Sequence, residues 1–354
     1  MSDFSGRLLD WWQAHGRHDL PWQLERTPYR VWVSEIMLQQ TQVATVIGYF
    51  QRFMARFPRL PDLAAAELDE VLALWSGLGY YARARNLHQC ARICLDQHGG
   101  GLPDDPEALA ALPGIGPSTA HAILAQAWNR RAAILDGNVK RVLARHAGIG
   151  GWPGRSGVLR QLWQEAEART PDEHAADYTQ AIMDLGAGLC TPRRPACLMC
   201  PVHADCSARI EDRIDELPGK KPPRVRPRRE TTLLILRDRT GRILLERRPP
   251  SGIWGGLWCL PSSQGSASPW QPQAATSTAE PLPPMTHQFT HFILTINFTL
   301  ISQPIEERTI NNGDMRWFSL NEALAAGLPR PIRTALERLH DMEPAPSRTG
   351  TAGC

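Results

Sequence analysis

The sequence predicts a multidomain protein, with an all-α domain over residues 1–217 and an α+β domain over residues 230–342. In the first part apolar residues recur at helical spacing, whereas the second contains short β-type runs separated by turn residues. A length of 354 residues suits two domains. Between them lies a proline-rich basic linker, residues 218–229, which is either a phosphate-binding segment or a solvated tether.

The composition is that of an ordinary globular protein, with 42% hydrophobic residues, 21% charged residues and a net charge of +3. A net charge this small excludes a histone-like basic protein, so any nucleic acid must bind at a local basic patch. Charged residues interrupt the N-terminal segment, and no apolar run approaches the roughly 18 residues of a spanning helix. We therefore expect no membrane association and a cytoplasmic location.

The first chemically informative element is a helix with Val31, Glu35 and Leu38 at i, i+4 and i+7, so that Glu35 lies in an apolar stripe. A carboxyl group in such a stripe has a raised pKa unless it is paired, and this property suits a general acid. The alternative is a buried ion pair with Arg30 or Arg52.

Polar residues mark both ends of this helix. Thr27-Pro28 supplies an N-cap followed by a proline at the first helical position. Gln39-Gln40-Thr41-Gln42 ends the apolar stripe, and uncharged amides at such a junction either contact base edges or are simply solvated. We expect Thr41 to cap the next helix, Val43 to Phe57.

A glycine-flanked pair of tyrosines follows in Gly77-Leu-Gly-Tyr-Tyr81. A base extruded from a duplex leaves a gap that a planar side chain can fill, so an exposed tyrosine here suits DNA binding. Core tyrosines at the start of a helix are the alternative interpretation.

Residues 112–120 form the most informative turn, Leu-Pro-Gly-Ile-Gly-Pro-Ser-Thr-Ala. Gly114 and Gly116 predict a tight turn with positive φ or a close backbone approach, and Ser118 and Thr119 are capping-type residues before a helix. Unpaired N–H groups at such a helix start attract phosphate. An ordinary turn between two helices would give the same pattern.

An acid, Asp136, stands directly before a second predicted helix, Val139 to Arg145. It is either a catalytic carboxylate or an N-cap.

Four cysteines, Cys190, Cys197, Cys200 and Cys206, have the spacing C-x6-C-x2-C-x5-C. Four thiolates can bind zinc or a 4Fe–4S cluster, and the residue types alone favour neither.

The C-terminal part has predicted strands over Thr231–Arg237, Ile243–Glu246, Thr290–Ser302 and Met315–Phe318, and a helix over Pro331–His340. We expect the polar stretch 262–284 to be mobile and the tail 343–354 to be disordered.

Three segments carry a resemblance to a known family: Val33–Val43, Gly77–Ala84 and Leu135–Val139. They resemble the MutY-type adenine DNA glycosylases of the endonuclease III superfamily, and the resemblance runs over nearly the whole chain. It implies an all-α helix-hairpin-helix glycosylase domain with an iron–sulfur loop and a Nudix-like C-terminal domain. It also implies one 4Fe–4S cluster on the four cysteines, and a monomer that acts at the nucleoid on double-stranded DNA with A:8-oxoguanine or A:G mispairs.

The resemblance assigns roles to individual residues. Glu35 would protonate adenine, Asp136 would stabilise the sugar cation, and Asn138 would orient Asp136 or water. The DNA-contacting and substrate-contacting residues implied by the family are Trp22, Gln40, Thr41, Tyr80, Gly114, Gly116, Ser118, Gln180, Phe289, Thr290 and His291. Phe289-Thr290-His291 matches a loop that contacts 8-oxoguanine, where the more usual middle residue is serine.

Ser118 stands where the bifunctional relatives have a nucleophilic lysine, so a monofunctional glycosylase is expected. The acidic helix that binds magnesium in Nudix hydrolases is absent from the sequence, so no pyrophosphatase activity is expected. The alternatives are an endonuclease III-like glycosylase/lyase on oxidised pyrimidines and a non-enzymatic DNA-binding module that senses redox state.

Overall fold

The computed structural model describes residues 3–223, 225–263, 278–302 and 314–342. Their contacts divide the chain into two compact units, which do not coincide with the predicted domains throughout. Unit 1 comprises Met1–Ala65 and Asn86–Pro223, and unit 2 comprises Ala66–Arg85 and Arg224–Cys354. Residues 66–85 thus pack with the C-terminal part. The tail 343–354, predicted to be disordered, lies outside the described residues.

Unit 1 is built from helices, as predicted. They are α1 (Phe4–His15), α2 (Pro21–Leu24), α3 (Pro28–Leu38), α4 (Val43–Arg56), α5 (Leu60–Ala65), α7 (Ala82–Gln97, which begins in unit 2), α8 (Pro106–Ala111), α9 (Pro117–Trp128), α10 (Gly137–His146), α11 (Ser156–Arg169), α12 (Ala175–Gly188) and α13 (Ser207–Ile210). α6 (Leu68–Leu74) belongs to unit 2. Nowhere in the described ranges is a helix long and apolar enough to cross a membrane.

The core of unit 1 surrounds α10 and α12, which pack against each other. Buried side chains such as Trp12, Leu143, Leu162, Tyr178 and Ile182 fill the space between these helices, α1 and α11. α9 packs against both α3 and α12. Residues that are distant in the sequence therefore meet around α9, and this is where the candidate site lies.

Helix starts in unit 1 confirm one predicted cap and contradict others. Thr27 is the N-cap of α3, and its side chain accepts a hydrogen bond from the Arg30 N–H. The prediction that Thr41 caps α4 is wrong, because Gln42 is the N-cap and the Thr41 hydroxyl donates to the Gln39 carbonyl at 3.4 Å. α4 begins one residue later than such a cap would require.

The hairpin between α8 and α9 uses its two glycines differently. Gly114 has φ of +81°, and a Cβ there would lie 2.9 Å from the Asn86 Cβ, so this position requires glycine. Gly116 has φ of −89° with open space around it, so the expected positive φ or close contact is wrong there. α9 begins at Pro117, so Ser118 lies inside the helix and does not cap it. Its hydroxyl instead accepts a hydrogen bond from the Leu135 N–H at 3.0 Å.

Unit 2 is built around a mixed sheet, which confirms the predicted α+β class. The strands are β1 (Arg228–Arg237), β2 (Ile243–Arg247), β3 (Trp258–Cys259), β4 (Thr278–Gln288), β5 (Ile293–Ser302) and β6 (Met315–Phe318), followed by α14 (Leu320–Ala325) and α15 (Arg330–Met342). The order is β3-β2-β1-β5-β4, with β6 beside β2, and only β1 and β5 pair in parallel. Ile235, Leu245, Phe298 and Leu336 are buried between the sheet and α15.

The prediction that residues 262–284 are mobile is wrong for their last part, because Thr278–Leu282 pair with β5 in a regular strand. Pro281, Pro283 and Pro284 made a strand improbable from the sequence. β4 lies at the edge of the sheet and its register is irregular between Leu282 and Met285, which is where prolines are tolerated. Residues 264–277 lie outside the described residues. Thr290, predicted at the start of a strand, lies in the loop between β4 and β5.

Residues 66–85 are fixed to the rest of unit 2 by side-chain contacts. The Tyr81 hydroxyl donates to the Leu328 carbonyl at 3.0 Å, and Arg333 donates to the Ser76 hydroxyl at 3.0 Å. Arg247 and Asp69 form an ion pair. The segment that carries Tyr80 is therefore held by the start of α15 and the residues before it.

Candidate active site

Glu35 lies on α3 and is partly exposed, in a helix whose neighbouring residues are buried. Its Oε1 accepts a hydrogen bond from Nε2 of Gln126 on α9 at 2.8 Å. Burial raises the pKa of the Glu35 carboxyl to about 7, the Gln126 hydrogen bond opposes this rise, and the negative charge of Asp136 adds to it. Glu35 is thus a carboxyl group that is still half protonated near neutral pH.

The predicted alternative, a pair between Glu35 and an arginine, is not found among the described residues. Arg30 donates to the Pro21 carbonyl at 2.8 Å and lies 3.6 Å from the Glu25 carboxylate. Arg52 lies over the Tyr49 ring. Among the contacts of the described ranges, no cation therefore offsets the partial burial of Glu35.

Asp136 is the N-cap of α10, and its Oδ1 accepts from the Val139 N–H at 2.7 Å. Burial raises the pKa of this carboxyl, while the Val139 and Asn138 N–H groups and the charges of Arg141 and Lys140 act in the opposite direction. The N-cap interpretation of Asp136 is confirmed, and the cap fixes the carboxylate at the start of α10, while its catalytic role stays a prediction. Unlike Glu35, Asp136 faces N–H groups and cations that favour its ionised form.

Asn138 is fixed at the same helix start. Its Oδ1 accepts from Arg141 at 2.8 Å, and Arg141 also donates to the carbonyls of Gly186 and Cys190, each at 2.7 Å. Gly186 on α12 approaches so closely that a Cβ there would lie 2.6 Å from the Asn138 Cβ. The Asn138 oxygen therefore faces Arg141, while its backbone N–H acts on Asp136.

A chain of side-chain amides leads away from Glu35. Gln23 Nε2 donates to the side-chain oxygens of Gln126 at 2.9 Å and of Gln180 at 2.6 Å. Gln180 Nε2 donates to Asp184 at 2.7 Å. Gln180, predicted to contact the purine, is 3% exposed, and its amide is already bonded at both ends.

Sequence reasoning missed Gln23, Gln126 and Asp184. A glutamine in the apolar run Ala-Ile-Leu-Ala-Gln126-Ala was the available signal, because a buried amide needs polar partners.

Trp22, predicted to line the purine pocket, is 2% exposed and packs edge-on against Phe50 at 5.4 Å. This contact places the Trp22 ring in the core of the helical unit. Gln40 is exposed and has φ of +59°, a conformation that is strained for a side-chain-bearing residue. Its neighbour Gln39 donates to the Gly114 carbonyl at 3.5 Å, so the turn after α3 lies beside the α8–α9 hairpin.

Tyr80, within unit 2, is 46% exposed and has φ of +51°. It lies in a turn before α7, directly after Gly79 and three residues after Gly77, and both glycines also have positive φ. The alternative that Tyr80 is a core residue at a helix start is therefore wrong. The Arg83 guanidinium lies 5.4 Å from the ring centre.

The loop between β4 and β5 presents the residues of the predicted 8-oxoguanine contact. Phe289 stacks on Phe292 at 4.5 Å and meets the His287 ring edge-on at 4.7 Å. Thr290 and His291 are exposed at the tip. The aromatic residues hold the loop, and the two polar side chains remain accessible.

The four cysteines line one pocket of unit 1, together with Arg145 and apolar side chains. Arg145 donates to the Cys190 Sγ at 3.5 Å and to the Thr191 carbonyl at 2.7 Å. Within the described residues, no three His, Cys, Asp or Glu side chains converge on a point as the ligands of a single ion would. Four thiols around one pocket, with a guanidinium beside Cys190, supply the ligands that a four-thiolate metal centre requires.

Comparison with known proteins assigns both parts of the chain. Residues 33–168 match the model of the HhH-GPD superfamily of base excision DNA repair proteins, and residues 232–338 match that of the NUDIX domain. The chain is 39% identical over 339 residues to the adenine DNA glycosylase of Buchnera aphidicola subsp. Acyrthosiphon pisum (strain APS), covering 94% of this chain and 97% of the relative. The adenine DNA glycosylase of Rattus norvegicus is 36% identical, with 95% of this chain and 77% of the relative covered.

Two solved structures are similar to part of the chain. A thermostable thymine-DNA glycosylase superposes with a TM-score of 0.54 at 29% identity, over 59% of this chain and 95% of that one. A non-covalent endonuclease III–DNA complex gives a TM-score of 0.50 at 22% identity, over 59% and 94% respectively, and supports the fold alone.

Proposed function

The chain belongs to the adenine DNA glycosylase family, enzymes that hydrolyse the N-glycosidic bond of adenine in base excision repair, and we propose that Glu35 and Asp136 carry out this hydrolysis on adenine opposite 8-oxoguanine or guanine. The observation that carries the proposal is the contrast between two carboxyl groups of the site. Glu35 is bonded by the neutral amide of Gln126 and has a pKa raised to about 7, whereas Asp136 caps α10 and accepts the Val139 N–H. We propose that the predicted domain 1–217 catalyses the hydrolysis and that the predicted domain 230–342 recognises the base opposite adenine.

The chemistry of the bond requires two unlike carboxyl groups. Adenine is a poor leaving group, and protonation at N7 makes it a better one, which requires a neutral acid such as Glu35. The sugar becomes an oxocarbenium-like cation, which an ionised carboxylate such as Asp136 stabilises. The N–H groups that bond Asp136 support its ionised form, and the lack of a cation near Glu35 in the described contacts supports the neutral form of that residue.

We propose a monofunctional enzyme, in which water and not a lysine replaces the base. Ser118 occupies the lysine position of the bifunctional relatives, and its hydroxyl is engaged with the Leu135 N–H. Lys140, the one lysine of the helical part by sequence, lies on α10 four residues after Asp136. A glycosylase/lyase on oxidised pyrimidines would require Lys140 to act as a nucleophile.

We propose that exposed turns and loops of both units contact the DNA. Gln40, Gly114 and Gly116 lie on neighbouring exposed turns of unit 1, which suits phosphate and base-edge contacts. Tyr80 in unit 2 has the exposure that a stack-inserting residue needs. Thr290 and His291 would contact the base opposite adenine. A monomer on double-stranded DNA at the nucleoid suffices for these contacts.

We propose that Cys190, Cys197, Cys200 and Cys206 hold one 4Fe–4S cluster. Their common pocket and the Arg145 guanidinium beside Cys190 support this assignment. Glycosidic hydrolysis transfers no electrons, so a redox role for the cluster is not needed. When bound, the cluster would instead hold the loop 190–206 in a fixed conformation for DNA docking. Purified protein should be yellow-brown, and a colourless zinc protein would contradict the assignment.

A single-turnover gel assay tests the proposal, using duplexes with adenine opposite 8-oxoguanine, guanine, thymine or cytosine, with and without alkali. We expect adenine release opposite the first two, with strand breaks only after alkali. Glu35→Gln should bind the duplex and release no adenine, while Glu337→Gln, at an exposed position of α15, should behave as wild type. Release by Glu35→Gln would refute the acid assignment, and strand breaks without alkali would favour the lyase.

A further inference from the structure

Gln126 is the one side chain that hydrogen-bonds the Glu35 carboxyl among the contacts of the described residues. It is 3% exposed on α9, where a glutamine among alanines, isoleucine and leucine has no packing advantage over an apolar residue. A buried amide is costly unless its partners satisfy it. Both ends of Gln126 are satisfied, by Glu35 on one side and Gln23 on the other.

The direction of the amide chain is fixed by charged groups at its ends. Arg26 Nε donates to the Gln23 oxygen at 2.7 Å, and because an arginine can only donate, the Gln23 amide nitrogen must face Gln126 and Gln180. At the other end Asp184 can only accept, so Gln180 turns its nitrogen towards it.

Asp184 is itself held in place. It accepts from Arg17 Nη2 at 2.6 Å and from the Trp12 indole at 3.1 Å, and it is almost fully buried. Arg26 is in turn paired with Asp177 at 2.9 Å. The Arg26–Asp177 and Arg17–Asp184 ion pairs therefore determine which atom of each amide faces which neighbour.

The orientation of these amides determines which atom of Gln126 faces Glu35. Because Gln126 accepts from Gln23 through its oxygen, its nitrogen must face Glu35, and Oε1 of Glu35 receives an N–H. An oxygen that accepts this N–H cannot also point a hydroxyl at it. The described contacts give the other oxygen, Oε2, no protein hydrogen bond.

We propose that Gln126 is a positioning residue that confines the transferable proton of Glu35 to Oε2, with its own amide oriented through Gln23 by Arg26 and Asp184. The proposal rests on the role of Glu35 as the acid. Oε1 then acts as the carbonyl oxygen of a neutral carboxylic acid, and Oε2–H is the group left to donate to adenine. Transfer moves one proton from Oε2 to the purine, and the resulting carboxylate keeps its Gln126 hydrogen bond.

The same contact has a second, measurable consequence. A hydrogen bond from Gln126 favours the ionised carboxylate, so its removal should raise the pKa of Glu35. Asp136 faces Glu35 from α10 and also raises this pKa, whereas Lys140 and Arg141 act on Asp136. Adenine release requires neutral Glu35, so its alkaline limb should move to higher pH when Gln126 no longer donates.

The test is a single-turnover pH profile of adenine release from a duplex with adenine opposite 8-oxoguanine, for the full chain. Gln126→Met, similar in size but without a donor, should move the alkaline limb up by about one pH unit and lower the plateau about tenfold. Gln126→Glu places a second carboxyl beside Glu35 and should move the limb further. Gln161→Met, at an exposed position of α11, is the matched control and should match wild type.

Thermal unfolding of each variant identifies a folding defect. If Gln126→Met does not fold, Gln23→Met leaves Gln126 in place without its orienting partner and should shift the limb in the same direction by a smaller amount. An unchanged limb, or one moved to lower pH, overturns the proposal. Activity retained by Glu35→Gln would instead overturn the acid assignment, so the two failures are distinguishable.

Discussion

The position of Asp136 depends on a close approach between α10 and α12, and Gly186→Ala tests this dependence. A Cβ at Gly186 would lie 2.6 Å from the Asn138 Cβ and 3.3 Å from the Asn138 Cα and carbonyl carbon. Ordinary carbon–carbon contacts lie at roughly 3.5 to 4.0 Å, so α10 would have to move by about 1 Å. The contact is with Cβ and backbone atoms, which cannot turn away as a flexible side chain could.

Two effects determine the size of the change. Overpacking typically costs about 1–3 kcal/mol of unfolding free energy, and the higher helix propensity of alanine returns at most about 1 kcal/mol. We therefore expect a net loss of up to about 3 kcal/mol. A displacement of about 1 Å at a catalytic group can reduce its rate about 100-fold, so adenine release should suffer far more than stability.

The assay combines denaturant unfolding with single-turnover adenine release, normalised to folded enzyme. Gly188→Ala is the matched control, because it lies at the end of the same helix with open space around its Cβ position. It should keep the wild-type rate and be as stable or slightly more stable. A Gly186→Ala enzyme that releases adenine within twofold of this control would refute the reasoning.

Three further outcomes follow from the geometry. Gly114→Ala should lose about 1–3 kcal/mol of unfolding free energy from its positive φ and its contact with Asn86, measured by denaturation, while Gly116→Ala should fold normally; equal stabilities would contradict this. Glu35 has a folded-state pKa of about 7 against 4.5 unfolded, so the folded protein holds its proton more tightly and stability falls as pH rises through this window. Glu35→Gln should therefore gain up to about 3 kcal/mol at pH 8 and nothing at pH 4, and a gain at both would refute the shift. Thr290→Ser should preserve the preference for 8-oxoguanine over guanine opposite adenine and Thr290→Val should weaken it, as measured by release rates; equal preferences would remove the hydroxyl from recognition.

Local rules predicted the elements whose structure is determined locally. Thr27 and Pro28 start α3 because a capping side chain and a fixed φ act within one turn. Asp136 could be predicted at the start of α10 for the same reason. The position of Glu35 in an apolar stripe predicted its raised pKa, because periodicity alone determines which face is buried.

What the sequence could not predict depends on distant partners. The strand at Pro281 tolerates its prolines because it lies at a sheet edge, and edge position is a property of the whole sheet. The attachment of residues 66–85 to unit 2 depends on Tyr81 and Arg333 meeting carbonyl and hydroxyl groups far along the chain. Gln126 was missed because its partners, Glu35 and Gln23, are about a hundred residues away in sequence.

The difference between the two carboxyl groups of the site follows from which donors the fold supplies to each. Asp136 stands at a helix start, so N–H groups of α10 and the cations that follow on the same helix act on its carboxylate. Glu35 lies in the middle of α3, where the backbone N–H groups are already used within the helix, so only a side chain can reach it. That side chain is a neutral amide and not a cation. A cation would stabilise the ionised form and disable the acid, whereas an amide orients the carboxyl group and still allows it to hold a proton near pH 7.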